Sequence, residues 1–138
     1  RVMRVERPAG PFMLLVLHPD SPRTPGRWAA GNALVEHAAE VIRTQMQPEG
    51  LPIVAAGDLN GAPTGYRSRL FTRLTGLARA KPLTRASGTW PAWGFWPLRV
   101  AIDDVFTDER TGVLSWRPVE LPGSDHAGVE VELALPGP

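Results

Sequence analysis

The stretch IVAAGDLNGAP, residues 53–63, decides how this chain is read. An apolar run stops at Gly57, and Asp58 and Asn60 follow with one residue between them. A run this short, apolar and closed by turn residues reads as a buried strand. Loops at strand ends are where a sheet places its reactive groups, so an acid and an amide at this tip mark a candidate site.

Working outward toward the N-terminus, RVMRVERPAGPFMLLVLH reads as two strands joined by a Pro/Gly turn at residues 8–11. The second, residues 12–17, is apolar at every position, the pattern of a strand covered on both faces. Thr24 followed by Pro25 is a helix-start signal, an oxygen that caps and a residue with φ already set. Leu34, Val35, Ala38, Ala39, Ile42 and Met46 recur at helical spacing, which predicts a helix over 25–47. Beyond GDLN a second helix is expected over 65–77, with Tyr66, Leu70, Phe71 and Leu74 on one face. From residue 88 onward GTW, VAIDDVF, VLSWRPVEL and GVEVELAL are short strand-like segments separated by turn residues. The order β-β-α-β-α followed by several strands predicts an α+β architecture with helices packed on a mixed sheet.

Composition narrows the function. With 138 residues the chain is one domain, long enough to bury a core. It has no cysteine, which excludes a disulfide framework, a thiolate metal site and a cysteine nucleophile. A net charge of +1 leaves no overall basic footprint for nucleic acid. No apolar stretch is long enough to span a bilayer.

Four strand ends carry chemistry-bearing side chains: His18 in VLHPDSP, Asp58 and Asn60 in AAGDLN, Asp103 and Asp104 in AIDDVF, and Asp125 and His126 in PGSDHAG. Singly, each reads as a turn residue or a structural histidine. Together they supply oxygen ligands for a hard cation and a histidine–acid pair for proton transfer, the groups that phosphodiester hydrolysis needs.

In this order the motifs resemble the endonuclease/exonuclease/phosphatase superfamily, the deoxyribonuclease I-like group. GDLN is similar to the family's GD-[FL]-N, AIDDVF to its I-D strand, and GSDHAG to its terminal S-D-H. VLHPDSP resembles the family's histidine strand end, and TWP resembles a bacterial branch. The resemblance implies the C-terminal part of a four-layer α/β sandwich and a Mg²⁺- or Mn²⁺-dependent hydrolase of phosphate esters, with nucleic acid, lipid or small-molecule head groups as substrate classes. It implies that Asp58 orients or activates the attacking water, or holds the metal, and that Asn60 donates to the phosphoryl oxygens. His126, paired with Asp103, is implied as general base or as a stabilising imidazolium. Asp125 is implied as a metal ligand, and His18 as a phosphate contact or the acid that protonates the leaving oxygen.

The departures from the family set further expectations. The family's metal-binding glutamate lies in an N-terminal half that this chain lacks, and Glu6 is no convincing substitute, so the chain is expected to be a fragment or a truncated product. One sheet face is then uncovered, and the expected partner is the missing half or a second copy. The competing reading is a catalytically incomplete half-domain acting as an interaction module. The bacterial branch often carries hydrophobic helices ahead of the domain, which implies membrane attachment of a longer protein. Asp104 is expected on the strand face opposite Asp103. Trp90 is read as local packing; Trp93 and Trp96 are read equally as packing or as a base-stacking or membrane-facing loop. Arg67, Arg69, Arg73, Arg79 and Arg85 are read as the solvated face of the second helix, and His37 as surface.

Overall fold

The structure is a computed structural model that describes residues 1–82 and 88–137, Trp96 by its backbone alone. Arg85 lies outside the described residues, as does the Trp96 side chain. A five-stranded mixed sheet has the order β1-β2-β3-β5-β4, with β1 Val2–Val5, β2 Phe12–Val16, β3 Ile53–Asp58, β4 Ala78–Arg79 and β5 Asp103–Thr107. Helices α1 (Pro25–Val41) and α2 (Tyr66–Thr75) pack on one face of it. β6 (Gly112–Val119) and β7 (Gly128–Ala134) form a separate antiparallel hairpin. Among the described residues no helix is long and apolar enough to cross a membrane.

α1 starts where the sequence places it. Thr24 is the N-cap, its hydroxyl oxygen accepting from the Arg27 N–H at 3.2 Å, and Pro25 opens the first turn. The regular helix stops at Val41, and the helical path runs on as a π turn over Ile42–Met46 and a 3₁₀ turn to Glu49. Ile42 and Met46, one at each end of the π turn, are both in the core. Of the expected apolar stripe only Leu34 stays exposed.

The core joins Met13, Leu15 and Leu17 of β2 and the loop after it, Ile53 and Ala55 of β3 and Phe106 of β5 to both helices. Phe71 and Phe106 meet edge to face at 5.0 Å. Two expectations need correction. β2 is not buried on both faces along its length: Met13 and Leu15 are buried on one face, whereas on the other Phe12 and Leu14 are half-buried and Val16 is 41% exposed. The exposed Val16 shares a face with Ala56 and Val105, opposite the face on which α1 and α2 pack. On α2, Leu70 and Phe71 face inward as expected, but Tyr66 and Leu74 are exposed and Arg67 is 1% exposed. Arg69 and Arg73 do form a solvated face, and His37 is exposed.

Candidate functional site

Register builds the site. β2 and β3 run parallel with Val16 opposite Ala56, so both chains leave the sheet at the same edge, two residues before His18 and at Asp58. β3 and β5 run antiparallel with Asp58 directly opposite Asp103. Opposed residues point to the same face, so the two carboxylates stand side by side. Gly57 makes the close approach of β2 and β3 feasible. Its φ is +150°, and a Cβ there would lie 1.9 Å from the Leu17 carbonyl oxygen.

The loop after β3 explains the D-L-N spacing. Asp58 Oδ1 accepts the Asn60 N–H at 2.6 Å, closing a tight turn. Asn60 takes a left-handed φ of 47°, which asparagine tolerates better than most residues. Leu59, between them, is buried and donates its N–H to Ile102 O at 2.9 Å. The Asn60 side-chain amide donates to Pro19 O at 3.0 Å, tying this loop to the one that carries His18. One of its two amide hydrogens is therefore engaged in holding the loops together.

His126 comes from the turn before β7. Its Nδ1 lies 2.8 Å from Asp103 Oδ2, and an ionised carboxylate can only accept, so Nδ1 carries the proton and Nε2 the lone pair. Burial pulls the His126 pKa down, but the hydrogen bond and charge of Asp103, joined by Asp58 and Asp125, outweigh it and hold it above its ordinary value. Asp58 is also raised, chiefly by burial and further by the charge of Asp103, against the Asn60 N–H and the two histidines. His18 Nε2 stands 3.6 Å from Asp58 Oδ2.

Ligand atoms of Asp58, Asp103 and His126 all lie within 4.8 Å of one another, a group able to hold a metal ion. Two adjacent carboxylates, one with its pKa raised by burial and further by the charge of the other, are a donor set that a hard divalent cation relieves. Asp125 lines the same cleft but is not part of this group; its carboxylate instead accepts from the Trp90 indole at 3.4 Å. The cleft has a volume of about 910 Å³, and His18, Asp58, Asn60, Asp103, Asp125 and His126 all line it.

Several residues around the site escaped the sequence reading. Trp90 is not packed away: it is 40% exposed, lines the cleft and bonds Asp125. Thr89 is fully buried, and its hydroxyl oxygen accepts the N–H groups of Ile102 and Asp103 at 3.2 Å each. Arg79 is not on the solvated face of α2; it lies on β4 and forms an ion pair with Asp104. Asp104 points away from Asp103 into the protein, as alternation along β5 predicts. Arg67 is buried and donates to Asp20 O and Leu59 O, on the loops after β2 and β3.

A search of curated proteins by sequence gives no match. Solved structures share the fold. An endonuclease/exonuclease/phosphatase from Beutenbergia cavernae superposes with a TM-score of 0.79 at 21% identity, over 99% of this chain and 39% of that one. A mannosyl-6-phosphatase from Bacteroides thetaiotaomicron gives 0.59 at 22% identity, over 91% and 52%. A beta toxin variant from Staphylococcus aureus, with bound magnesium ions, gives 0.65 at 13% identity, over 94% and 56%. This chain thus spans about half or less of the length of the structures it matches. The mixed sheet with its two helices is the deoxyribonuclease I-like α+β fold of these neighbours. The model of the endonuclease/exonuclease/phosphatase family matches residues 5–126, and the chain belongs to that family.

Proposed function

We propose that this chain carries the acid–base and phosphate-binding groups of a metal-dependent phosphoester hydrolase. The observation that carries the reading is the convergence of ligand atoms of Asp58, Asp103 and His126 within 4.8 Å in a cleft that His18 and Asn60 also line.

In this reading His126 Nε2 takes a proton from the attacking water as its oxygen bonds to phosphorus. Asp103 keeps the proton on Nδ1 and stabilises the imidazolium that forms. The free hydrogen of the Asn60 amide donates to the phosphoryl oxygens as their charge rises. His18 protonates the leaving oxygen as its bond to phosphorus breaks. Asp58, with Asp103 and Asp125 near it, holds Mg²⁺ or Mn²⁺. Such an ion, when bound, polarises the phosphate and offsets its charge.

The substrate class is a phosphate ester, of nucleic acid or of a lipid or small-molecule head group. The solved mannosyl-6-phosphatase and magnesium-bound toxin support that class by fold likeness. The residues 1–138 form one folding unit that corresponds to the C-terminal half of the family domain, supported by the half-length coverage and by the uncovered face around Val16. The complementary half, or a second copy of this chain, covers that face. A monodisperse monomer by sedimentation at both low and high concentration would remove the second copy from the proposal.

The test is hydrolysis of bis-p-nitrophenyl phosphate with Mg²⁺ or Mn²⁺ by the chain and by Asp58→Ala and His126→Ala. Metal-dependent turnover that drops about 10²-fold or more in each variant is expected. Turnover that ignores the metal, or survives both substitutions, would refute the assignment. A parent chain without turnover would favour the half-domain as an interaction module, for which the uncovered face is the specific support.

A further inference from the structure

The Arg67 guanidinium offers five N–H donors, and each has an acceptor. Nε donates to Asn32 Oδ1 at 3.1 Å. Nη1 donates to Asp20 O at 2.7 Å and to Leu59 O at 3.3 Å. Nη2 reaches Arg27 O and Trp28 O at 3.5 Å each. The side chain lies 5.4 Å from the Trp28 ring centre. Every acceptor is neutral: four are backbone carbonyls and one is an amide.

These acceptors lie on three segments. Asp20 stands two residues after His18, and Leu59 stands between Asp58 and Asn60. Arg27, Trp28 and Asn32 belong to α1. We infer that Arg67 is a positioning residue: one buried guanidinium fixes the loop after β2 and the loop after β3 against each other and against α1, and so sets the spacing of His18, Asp58 and Asn60. Its catalytic consequence rests on the hydrolase reading above; its geometry does not.

Lysine cannot replace it. An ammonium has three donors on one atom, one bond closer to the backbone than the guanidinium's terminal nitrogens, so it cannot hold the two loop carbonyls and the three α1 acceptors at once. Gly31 of α1 is the second half of the device. A Cβ there would lie 2.1 Å from Nη2 and 2.6 Å from Cζ, so the guanidinium could keep its place only beside a glycine. Gly31→Ala therefore displaces the same group without altering it.

The experiment compares the parent chain with Arg67→Lys, Gly31→Ala and the core control Ile42→Val, by amide hydrogen exchange and by turnover at a temperature where all are folded. The Leu59 N–H is bonded to Ile102 O and the Asn60 N–H to Asp58 Oδ1, so both report the loop after β3, while Ala55 reports the strand. Exchange at Leu59 and Asn60 is expected to rise about tenfold or more beyond any rise at Ala55 in both clamp variants, and to track Ala55 in Ile42→Val. With it, kcat is expected to fall about tenfold or more in the clamp variants and to hold in the control. Exchange at Leu59 and Asn60 that merely follows Ala55, or local loosening with an unchanged kcat, would overturn the positioning role. A parent without turnover would favour the interaction-module reading, and the exchange comparison would still decide whether the clamp exists.

Discussion

Arg79→Met tests the ion pair on which β4 and β5 depend. Arg79 reaches from β4 to Asp104, whose side chain is 0% exposed, and its other terminal nitrogen donates to Ser68 Oγ at 3.2 Å. Burial pushes the Asp104 carboxyl up to about 6, against the pull of Arg79, the Val105 N–H and Lys81. A folded-state pKa above the unfolded value contributes stability that is full below the unfolded value and is lost as pH rises through the folded one. At about 1.4 kcal/mol per pH unit, that loss in the parent chain has a ceiling of about 3 kcal/mol between acid and neutral pH. Removing Arg79 at pH 8 strands a buried carboxylate, at a cost of about 3–5 kcal/mol, a large share of the 5–15 kcal/mol that typically (about that range) holds a domain together. At pH 5 the carboxyl takes a proton instead, so the cost is smaller by about 1–2 kcal/mol. The double variant Arg79→Met/Asp104→Leu has no stranded charge and lies closer to the parent than the single variant. Urea denaturation at pH 5 and pH 8 measures all of these, provided the m-value holds. A cost below about 1 kcal/mol at both pH values, or a cost greater at pH 5, would refute the reasoning.

Three further outcomes are expected. Gly57→Ala places a methyl against Leu17 O at a left-handed φ, so the variant loses the β2–β3 edge at the site and unfolds at a markedly lower temperature; an unchanged melting curve would show that the strands do not approach so closely. Asp103→Asn removes the chief support of the His126 imidazolium, so its pKa, followed by NMR titration, falls; because a raised histidine pKa stabilises the fold below the unfolded value and stops doing so above the folded one, the variant loses more stability at pH 5.5 (roughly one unit below the unfolded value) than in alkali. Thr24→Ala costs about 1 kcal/mol by urea denaturation through the lost N-cap, and a cost near zero would mean that Pro25 alone starts α1.

What the sequence showed and what it hid divide along a physical line. Signals that are local survived: the Thr24–Pro25 start of α1, the apolar stripe ending in Ile42 and Met46, and the alternation that sends Asp103 and Asp104 to opposite faces. The residues that come together in the cleft were legible because short motifs at strand ends mark them. Arg67 and Arg79 were read as solvated because burial of a charge is decided by partners far along the chain. For Arg67 these are carbonyls of residues 20, 27, 28 and 59, and for Arg79 the carboxylate of Asp104. No local pattern announces such partners. Trp90 was misread for the same reason: its indole meets Asp125, 35 residues away. The second face of β2 was misjudged because an apolar strand reads the same whether its cover lies within the chain or outside it.

The two faces of the sheet therefore do different work. The helix-covered face is complete in itself: it holds the apolar core, the Arg67 clamp and the Arg79–Asp104 pair. The opposite face carries Asp58 and Asp103 at one end and the exposed Val16 beside them. The groups that fix the positions of Asp58, Asn60 and Asp103 are the strand register, Thr89 and Arg67, all within this chain. A polypeptide laid over the exposed region around Val16 would bury apolar surface, but it would meet side chains already aligned. Covering that region would then change access to the cleft more than the distance between His126 and Asp103, which the hydrogen bond at 2.8 Å already sets.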